Sequence, residues 1–273
     1  MNHDMQPLLR VDNLVKHYAA GRSAGSRDKL VALDGVSLSI APQSTLALIG
    51  ESGSGKSTLA LCIACLEHPT SGSIWFEGID VAALHENQQR KFRPRIQLVF
   101  QDPARSLNPR WTALEIASEP LVVRQDTSKQ ERENKALELL DCVAIPRRLA
   151  SQRADELSGG QKQRLAIARA LALEPKLIIL DEALSALDCS VQAQISNLLL
   201  ELQSSFGLTY LFITHDFAMA AHLADQIAVM DRGRIVESGP AENVLRSPSH
   251  EVTRSLLAAT FPITDTPDVR LEL

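Results

Sequence analysis

The chain alternates between short apolar runs and longer stretches with helical spacing. Leu8–Val15 predicts a strand, with Leu9, Val11 and Val15 on one face. Ala19–Lys29 is small, polar and charged and reads as a surface loop, after which Val31–Ile40 alternates again. Thr45–Ile49 is an apolar run closed by Gly50, the pattern of a strand buried on both faces. A helix is expected from about Lys56, and Ser73–Phe76 and Ile96–Phe100 read as further strands. From Asp102 to Leu173 the strand signal fades. Helices are predicted over Thr112–Val123, Lys129–Val143 and Gln161–Leu173, punctuated by Pro103, Pro109, Pro120 and Pro146. Strands return at Leu177–Leu180, Thr209–Ile213 and Ile227–Met230. Between the first two, Val191, Ile195, Leu198, Leu199, Leu202 and Phe206 mark one face of an amphipathic helix. Pro262–Leu273 reads as a loose tail. This strand–helix–strand order predicts an α/β fold with a helical insert.

Composition narrows the functional classes. The 273 residues suit one large domain or two small ones, and the core needs no staple. With 28 Lys and Arg against 33 Asp and Glu, the net charge is −5, which argues against a nucleic-acid partner. Two Trp, two Tyr and seven Phe make a poor base-stacking platform. The four cysteines, Cys62, Cys65, Cys142 and Cys189, are too scattered for a disulfide framework and suit a reducing compartment. Cys62 and Cys65 have C-x-x-C spacing, but they fall among Leu59, Leu61 and Leu66 and read as buried small side chains. The longest apolar run, Leu59–Leu66, is far short of the roughly 20 residues that span a bilayer. Met1–Met5 has neither the basic nor the apolar region of a signal peptide.

Gly50-Glu51-Ser52-Gly53-Ser54-Gly55-Lys56-Ser57 fits G-x-x-x-x-G-K-[ST] at every fixed position, between a predicted strand and a predicted helix. The glycines let backbone N–H groups converge on a phosphate, and the next helix points its positive end at the anion. Lys56 is placed to reach β- and γ-phosphates, and the Ser57 hydroxyl to ligate Mg²⁺. Leu177–Leu180 delivers Asp181 and Glu182 to a strand's C-terminal end, where an α/β sheet forms its crevice. Asp181 suits Mg²⁺, and Glu182 suits polarising an attacking water. The base-reading pattern N-K-x-D of GTPases is missing, since Asn134-Lys135 is followed by Ala136-Leu137.

Leu157-Ser158-Gly159-Gly160-Gln161 opens another helix and has the makings of a second anion site. Together with the preceding motifs it resembles the signature of ABC-type ATPases, and the resemblance runs along nearly the whole chain. It implies a P-loop NTPase with a RecA-like core, an antiparallel β subdomain and an inserted helical subdomain. It also implies ATP and Mg²⁺ as cofactors. Tyr18 then matches the aromatic that stacks on adenine, and the nucleotide-binding set is Tyr18, Gly50–Ser57 and Thr58. Gln101 matches the Q-loop glutamine, catalytic and metal-facing together with Ser57 and Asp181. Glu182 and His215 are catalytic, the latter as the switch histidine, and Ser185-Ala-Leu-Asp188 matches the D-loop. Ser158, Gly159, Gly160 and Gln161 act in trans on a second subunit's ATP. One departure is Ala183-Leu184, where the family more often has Pro-Thr.

The resemblance also divides the chain: core over 1–101, helical subdomain with signature over 102–173, core again over 174–240, appendix and tail over 241–273. A free-standing domain without membrane helices looks like an importer ATPase at the cytoplasmic face of the inner membrane. Its expected partners are transmembrane permease subunits, a second ATP-binding subunit, identical or not, and through the complex an extracytoplasmic solute-binding protein. Phe100–Arg110, Glu119-Pro120-Leu121 and Ser247–Ala259 are similar to the dipeptide/oligopeptide/nickel uptake family. No cysteine follows Cys189, so the chain resembles the partner type that lacks an iron–sulfur extension. Antimicrobial-peptide-handling, export, metallophore and nickel systems stay open, as does an ABC ATPase acting on nucleic acid or ribosomes.

Overall fold

A computed structural model describes residues 6–19, 29–124 and 128–260. The elements run β1 Leu9–Ala19, β2 Lys29–Ile40, β3 Thr45–Ile49, α1 Lys56–Ile63, β4 Ser71–Phe76, β5 Ile79–Asp80, α2 Glu86–Gln89 and β6 Ile96–Val99. They continue with α3 Pro103–Ser106, α4 Ala113–Arg124, α5 Lys129–Cys142, α6 Gly159–Leu171, β7 Leu177–Asp181, α7 Cys189–Phe206, β8 Thr209–Thr214, α8 Phe217–Leu223, β9 Gln226–Asp231, β10 Arg234–Pro240, α9 Ala241–Arg246 and α10 Glu251–Thr260.

Among the described residues the strands form two sheets. One has the order β10-β9-β3-β8-β7-β6, parallel except for the β9–β10 hairpin, and the other is the antiparallel β2-β1-β4-β5. Every residue of β3 and β8 is buried, which their unbroken apolar runs require in a strand covered on both faces. The pleat then sorts side chains by parity. Ala47, Ile49, Ile178, Leu180, Tyr210 and Phe212 enter the cluster beneath α4–α8, whereas Leu46, Leu48, Leu177, Ile179, Leu211 and Ile213 enter the cluster shared with α1 and the antiparallel sheet. Each such side chain contributes about 1.5–3 kcal/mol on burial. The Tyr210 hydroxyl, buried among them, donates to the Leu199 carbonyl at 2.9 Å.

Two differences from the periodicity, and one proline within a predicted helix, have physical causes. In β1, Asn13 takes a left-handed φ of 45° at a register shift, so Leu14 and Lys16 turn inward, and Val15, expected on the apolar face, is only half-buried. Pro120, expected as a punctuation mark, lies inside α4. A proline forfeits its own hydrogen bond there, but Ile116, Ala117 and Leu121 bury α4 against its neighbours α5 and α6, and tertiary packing outweighs the local cost. β1 extends to Ala19, placing Tyr18 within the strand opposite Leu30. Most of the expected 19–29 loop and the Pro262–Leu273 tail lie outside the described residues.

The segment that leads into the last described helix is anchored by a carboxylate, while Val252, Leu256 and Leu257 of the helix pack against the core. Glu237 of β10 accepts hydrogen bonds from the Ser249 backbone N–H (2.7 Å), the Ser249 hydroxyl (2.8 Å) and the His250 backbone N–H (3.0 Å), just before α10. Burial by itself would raise its pKa, but these donors, together with the Thr253 side chain, prevail and bring it down to about 2 from an ordinary 4.5. The ionised form is thus favoured in the folded state, so its stabilisation is complete above about pH 4.5 and is lost as the pH falls towards about 2. Hydrogen-exchange protection of residues 251–260 should fall through that window, and Glu237→Gln should show lowered protection already at pH 7. Unchanged protection in the variant would refute this role.

Candidate functional site

The parallel registers bring four chain segments to one sheet edge. Ile49 of β3 pairs with Thr214 of β8, Ile213 of β8 with Asp181 of β7, and Leu180 of β7 with Val99 of β6. Just beyond these positions stand Gly50, His215, Glu182 and Gln101.

Two glycines of the 50–57 loop, Gly50 and Gly55, are sterically compelled. A Cβ on Gly50 would lie 2.3 Å from the Met230 carbonyl oxygen, and one on Gly55, at φ 111°, would lie 2.4 Å from that of Ala32. Lys56 begins α1 and is nearly fully buried. Its Nζ donates to the carbonyls of Gly50 and Glu51, both at 2.7 Å. Burial lowers its pKa, and the negative charges of Glu182, Asp181 and Glu51 act against that shift.

Asp181 ends β7. Burial raises its pKa, opposed by a hydrogen bond from the Ser57 side chain and by the charge of Lys56. Its Oδ1 is buried without a hydrogen-bond partner. A half-buried carboxylate with an unpaired oxygen, beside a serine hydroxyl, is an oxygen donor set suited to a hard divalent cation. Glu182 follows in the left-handed region at φ 47°, its N–H donating to the Ile213 carbonyl at 2.9 Å. Its Oε2 accepts from Gln101 Nε2 at 2.8 Å, and its Oε1 lies 4.0 Å from His215 Nδ1. Ser185 closes the turn, its hydroxyl donating to the Glu182 carbonyl at 2.9 Å and standing 3.4 Å from Gln101 Nε2. Ala183 and Leu184 are buried in the core, and Gln192 Nε2 caps the Leu184 carbonyl at 3.0 Å, so this segment is well supported without proline.

A cleft of about 410 Å³ brings some of these parts together, whereas Gly50, Glu51, Ser54, Asp181 and His215 do not line it. Tyr18 lines one end, Ser52, Gly53, Gly55, Lys56, Ser57 and Thr58 the floor, and Gln101 and Glu182 the other end. Leu30, Val31 and Ala32 complete the wall near Tyr18. Sequence reasoning missed these three. The available signal was a pair of large apolar residues, Leu30 and Val31, on the edge of an alternating strand, where both prove exposed. Such a cleft offers an apolar and aromatic end for a base, a glycine cradle and a cation for phosphates, and a carboxylate where the terminal phosphate would lie.

The remaining predicted residues lie elsewhere. Ser158 caps α6: its hydroxyl accepts from the Gln161 N–H at 3.3 Å, and Gln161 Oε1 accepts from the Ser158 N–H at 2.9 Å. Gly160 packs so close to Val191 that a Cβ would meet its Cγ1 at 2.7 Å. Asp188 caps α7, accepting from the Val191 N–H at 2.9 Å. None of Ser158, Gly159, Gly160, Gln161 or Asp188 lines the cleft of its own chain. Cys62 and Cys65 are both buried, and burial pushes their thiols up to about 12 and about 11, which keeps them protonated and without thiolate chemistry.

Comparisons with known proteins agree with this geometry. Residues 33–185 match the family model described as "ABC transporter". The chain is 47% identical over 268 residues to the "Probable peptide ABC transporter ATP-binding protein y4tS" of Sinorhizobium fredii, covering 97% of this chain and 76% of that one. It is 43% identical over 256 residues to the dipeptide transport ATP-binding protein DppF of Escherichia coli, covering 93% of this chain and 77% of that one. Among solved structures, the dimeric post-hydrolysis state of the ATP-binding cassette MJ0796 bound to ADP and Pi superposes with a TM-score of 0.76 at 34% identity, over 85% of this chain and 98% of that one. With the phosphate loop, the paired acids and the signature segment all in place on this fold, the chain belongs to the ABC transporter family, as an ATP-binding ATPase subunit.

Proposed function

We propose that this protein energises uptake of peptides or a related solute, closing on ATP as a dimer beneath membrane-embedded permease subunits. The observation that carries the dimer is the cleft itself. It holds a base end, a phosphate cradle and Glu182, yet its own signature segment is absent from it. A second subunit, identical or not, supplies Ser158, Gly159, Gly160 and Gln161, and the capped N-terminus of α6 offers its N–H groups to the γ-phosphate. Asp188, at the start of α7 beside Gly160, belongs to the same face. In this reading residues 102–173 form the arm that carries the signature, 1–101 and 174–240 the ATPase core, and 241–273 an appendix.

Tyr18 stacks on adenine. The 50–58 loop holds the phosphates, with Lys56 turning from the Gly50 and Glu51 carbonyls to the β- and γ-phosphates. Ser57, Asp181 and Gln101 would hold Mg²⁺, which supplies charge neutralisation between the phosphates when bound. The unpaired, buried Asp181 Oδ1 supports that assignment. Glu182 orients and polarises the attacking water, and His215 steadies the γ-phosphate side of the site. Gln101 Nε2 donates to Glu182, which leaves its amide oxygen to face the cation.

Peptide import rests on the relatives. The chain is 43–47% identical, over nearly all its length, to proteins named for peptide and dipeptide transport. No helix among the described residues is long and apolar enough to cross a membrane. Attachment to the cytoplasmic face of the inner membrane would therefore run through permeases, and the solute would arrive from an extracytoplasmic binding protein.

Two measurements test these assignments. Glu182→Gln should keep ATP binding, lose roughly a hundredfold or more of hydrolysis and accumulate dimers on size-exclusion chromatography with ATP. Hydrolysis near the wild-type rate would remove Glu182 from the chemistry. In proteoliposomes with its permeases, ATPase activity should rise on adding a peptide-loaded binding protein. Stimulation by DNA or ribosomes in its place would overturn the importer reading.

A further inference from the structure

Lys16 is an uncommon lysine. It stands two residues before Tyr18 on β1, and the bulge at Asn13 turns it inward until only 9% of it is exposed. Lysines are rarely buried unless paired. Its Nζ donates to Glu67 Oε1 at 2.5 Å and to the His68 carbonyl at 2.6 Å. The same nitrogen lies 4.9 Å from the centroid of the Tyr18 ring. An ammonium has three N–H donors. Two are taken by oxygens, and the face of the Tyr18 ring receives the remaining charge.

Glu67 and His68 lie just beyond α1, the helix that begins at Lys56 in the phosphate loop. A continuous line of contacts therefore runs from the phosphate cradle along α1 to Glu67, across to Lys16 and onto the ring. The backbone of β1 is anchored there independently: Thr70 N–H donates to the Val15 carbonyl at 2.7 Å, and His17 N–H to Thr70 Oγ1 at 2.9 Å. The strand does not need the ammonium to stay in place, but the ring has no other charged or ring contact among the described residues.

We propose that Lys16 is a positioning residue for the nucleotide base. Its ammonium holds one face of Tyr18, so that the ring stands at the base end of the cleft at a distance from the phosphate loop set by α1. The proposal rests on Tyr18 being the adenine platform. A lysine serving only the fold would affect every ligand of the site alike, whereas one acting through Tyr18 affects only ligands that carry a base.

The test is calorimetric titration of the full chain with ATP and with inorganic tripolyphosphate, which has phosphates and no base. Lys16→Met should weaken ATP roughly three- to tenfold, the range of a cation–ring contact, and leave tripolyphosphate unchanged. In a Tyr18→Ala background the same substitution should add nothing, because the coupling would be lost with the ring. Lys16→Arg, which keeps the cation, should restore ATP affinity. Should Lys16→Met fail to fold by circular dichroism, Glu67→Gln, which loosens the ammonium's anchor, carries the same comparison. Equal losses for ATP and tripolyphosphate, or full additivity with Tyr18→Ala, would overturn the proposal. A Tyr18→Ala variant that binds ATP as well as wild type would instead overturn the adenine platform. A weakened Tyr18→Ala with an inert Lys16→Met would overturn only the role of Lys16.

Discussion

Parallel register is the constraint on which everything else in this molecule hangs. Pairing Ile49 with Thr214, Ile213 with Asp181 and Leu180 with Val99 leaves β3, β8, β7 and β6 ending within about one residue of each other. A parallel sheet puts all its C-terminal ends on one edge, and the chain must leave each of them through a turn. Four turns therefore meet there, carrying the phosphate loop, His215, Glu182 and Gln101. Shifting one strand by one residue would turn its apolar side chains to the wrong layer, so the two hydrophobic clusters enforce the register that the chemistry uses.

The edge is also electrostatically tight. Lys56 is buried near Asp181 and Glu182, whose negative charges favour its ammonium, while the ammonium in turn favours the Asp181 carboxylate. Lys56 satisfies its ammonium on two loop carbonyls, Glu182 satisfies one oxygen on Gln101, and Asp181 keeps one oxygen without a partner. These are exchangeable contacts rather than a closed network. The rigid parts are the glycines, where approach of the Met230 and Ala32 carbonyls leaves no room for a side chain.

The signature segment follows a different logic. Its serine is spent on a helix cap, its second glycine is pressed against Val191, and none of its residues lines the chain's own cleft. In the proposed reading, the N-terminus of α6 meets its anion on a second subunit, and each chain contributes half of a site.

Much of the site was legible because it is written in local patterns. Gly50–Ser57 is recognisable from residue types at a fixed local spacing, Leu177–Glu182 from an apolar run with acids at its end, and Ser158–Gln161 from a cap. What the linear pattern misjudged depends on distant contacts. Val15 was expected on the apolar face of β1, but a bulge at Asn13 gave that place to Leu14 and Lys16, and a bulge is decided by the partner strands. Pro120 sits inside α4, as the helix predicted over Thr112–Val123 requires, and packing around Ile116, Ala117 and Leu121 offsets its missing hydrogen bond. Leu30 and Val31 became a wall of the cleft only because β2 pairs with β1 opposite Tyr18. The sequence alone thus determined which chemical groups the protein carries and the turns that display them. The tertiary structure alone decided which groups face one another, because register, bulges and burial are set by contacts between residues far apart in the chain.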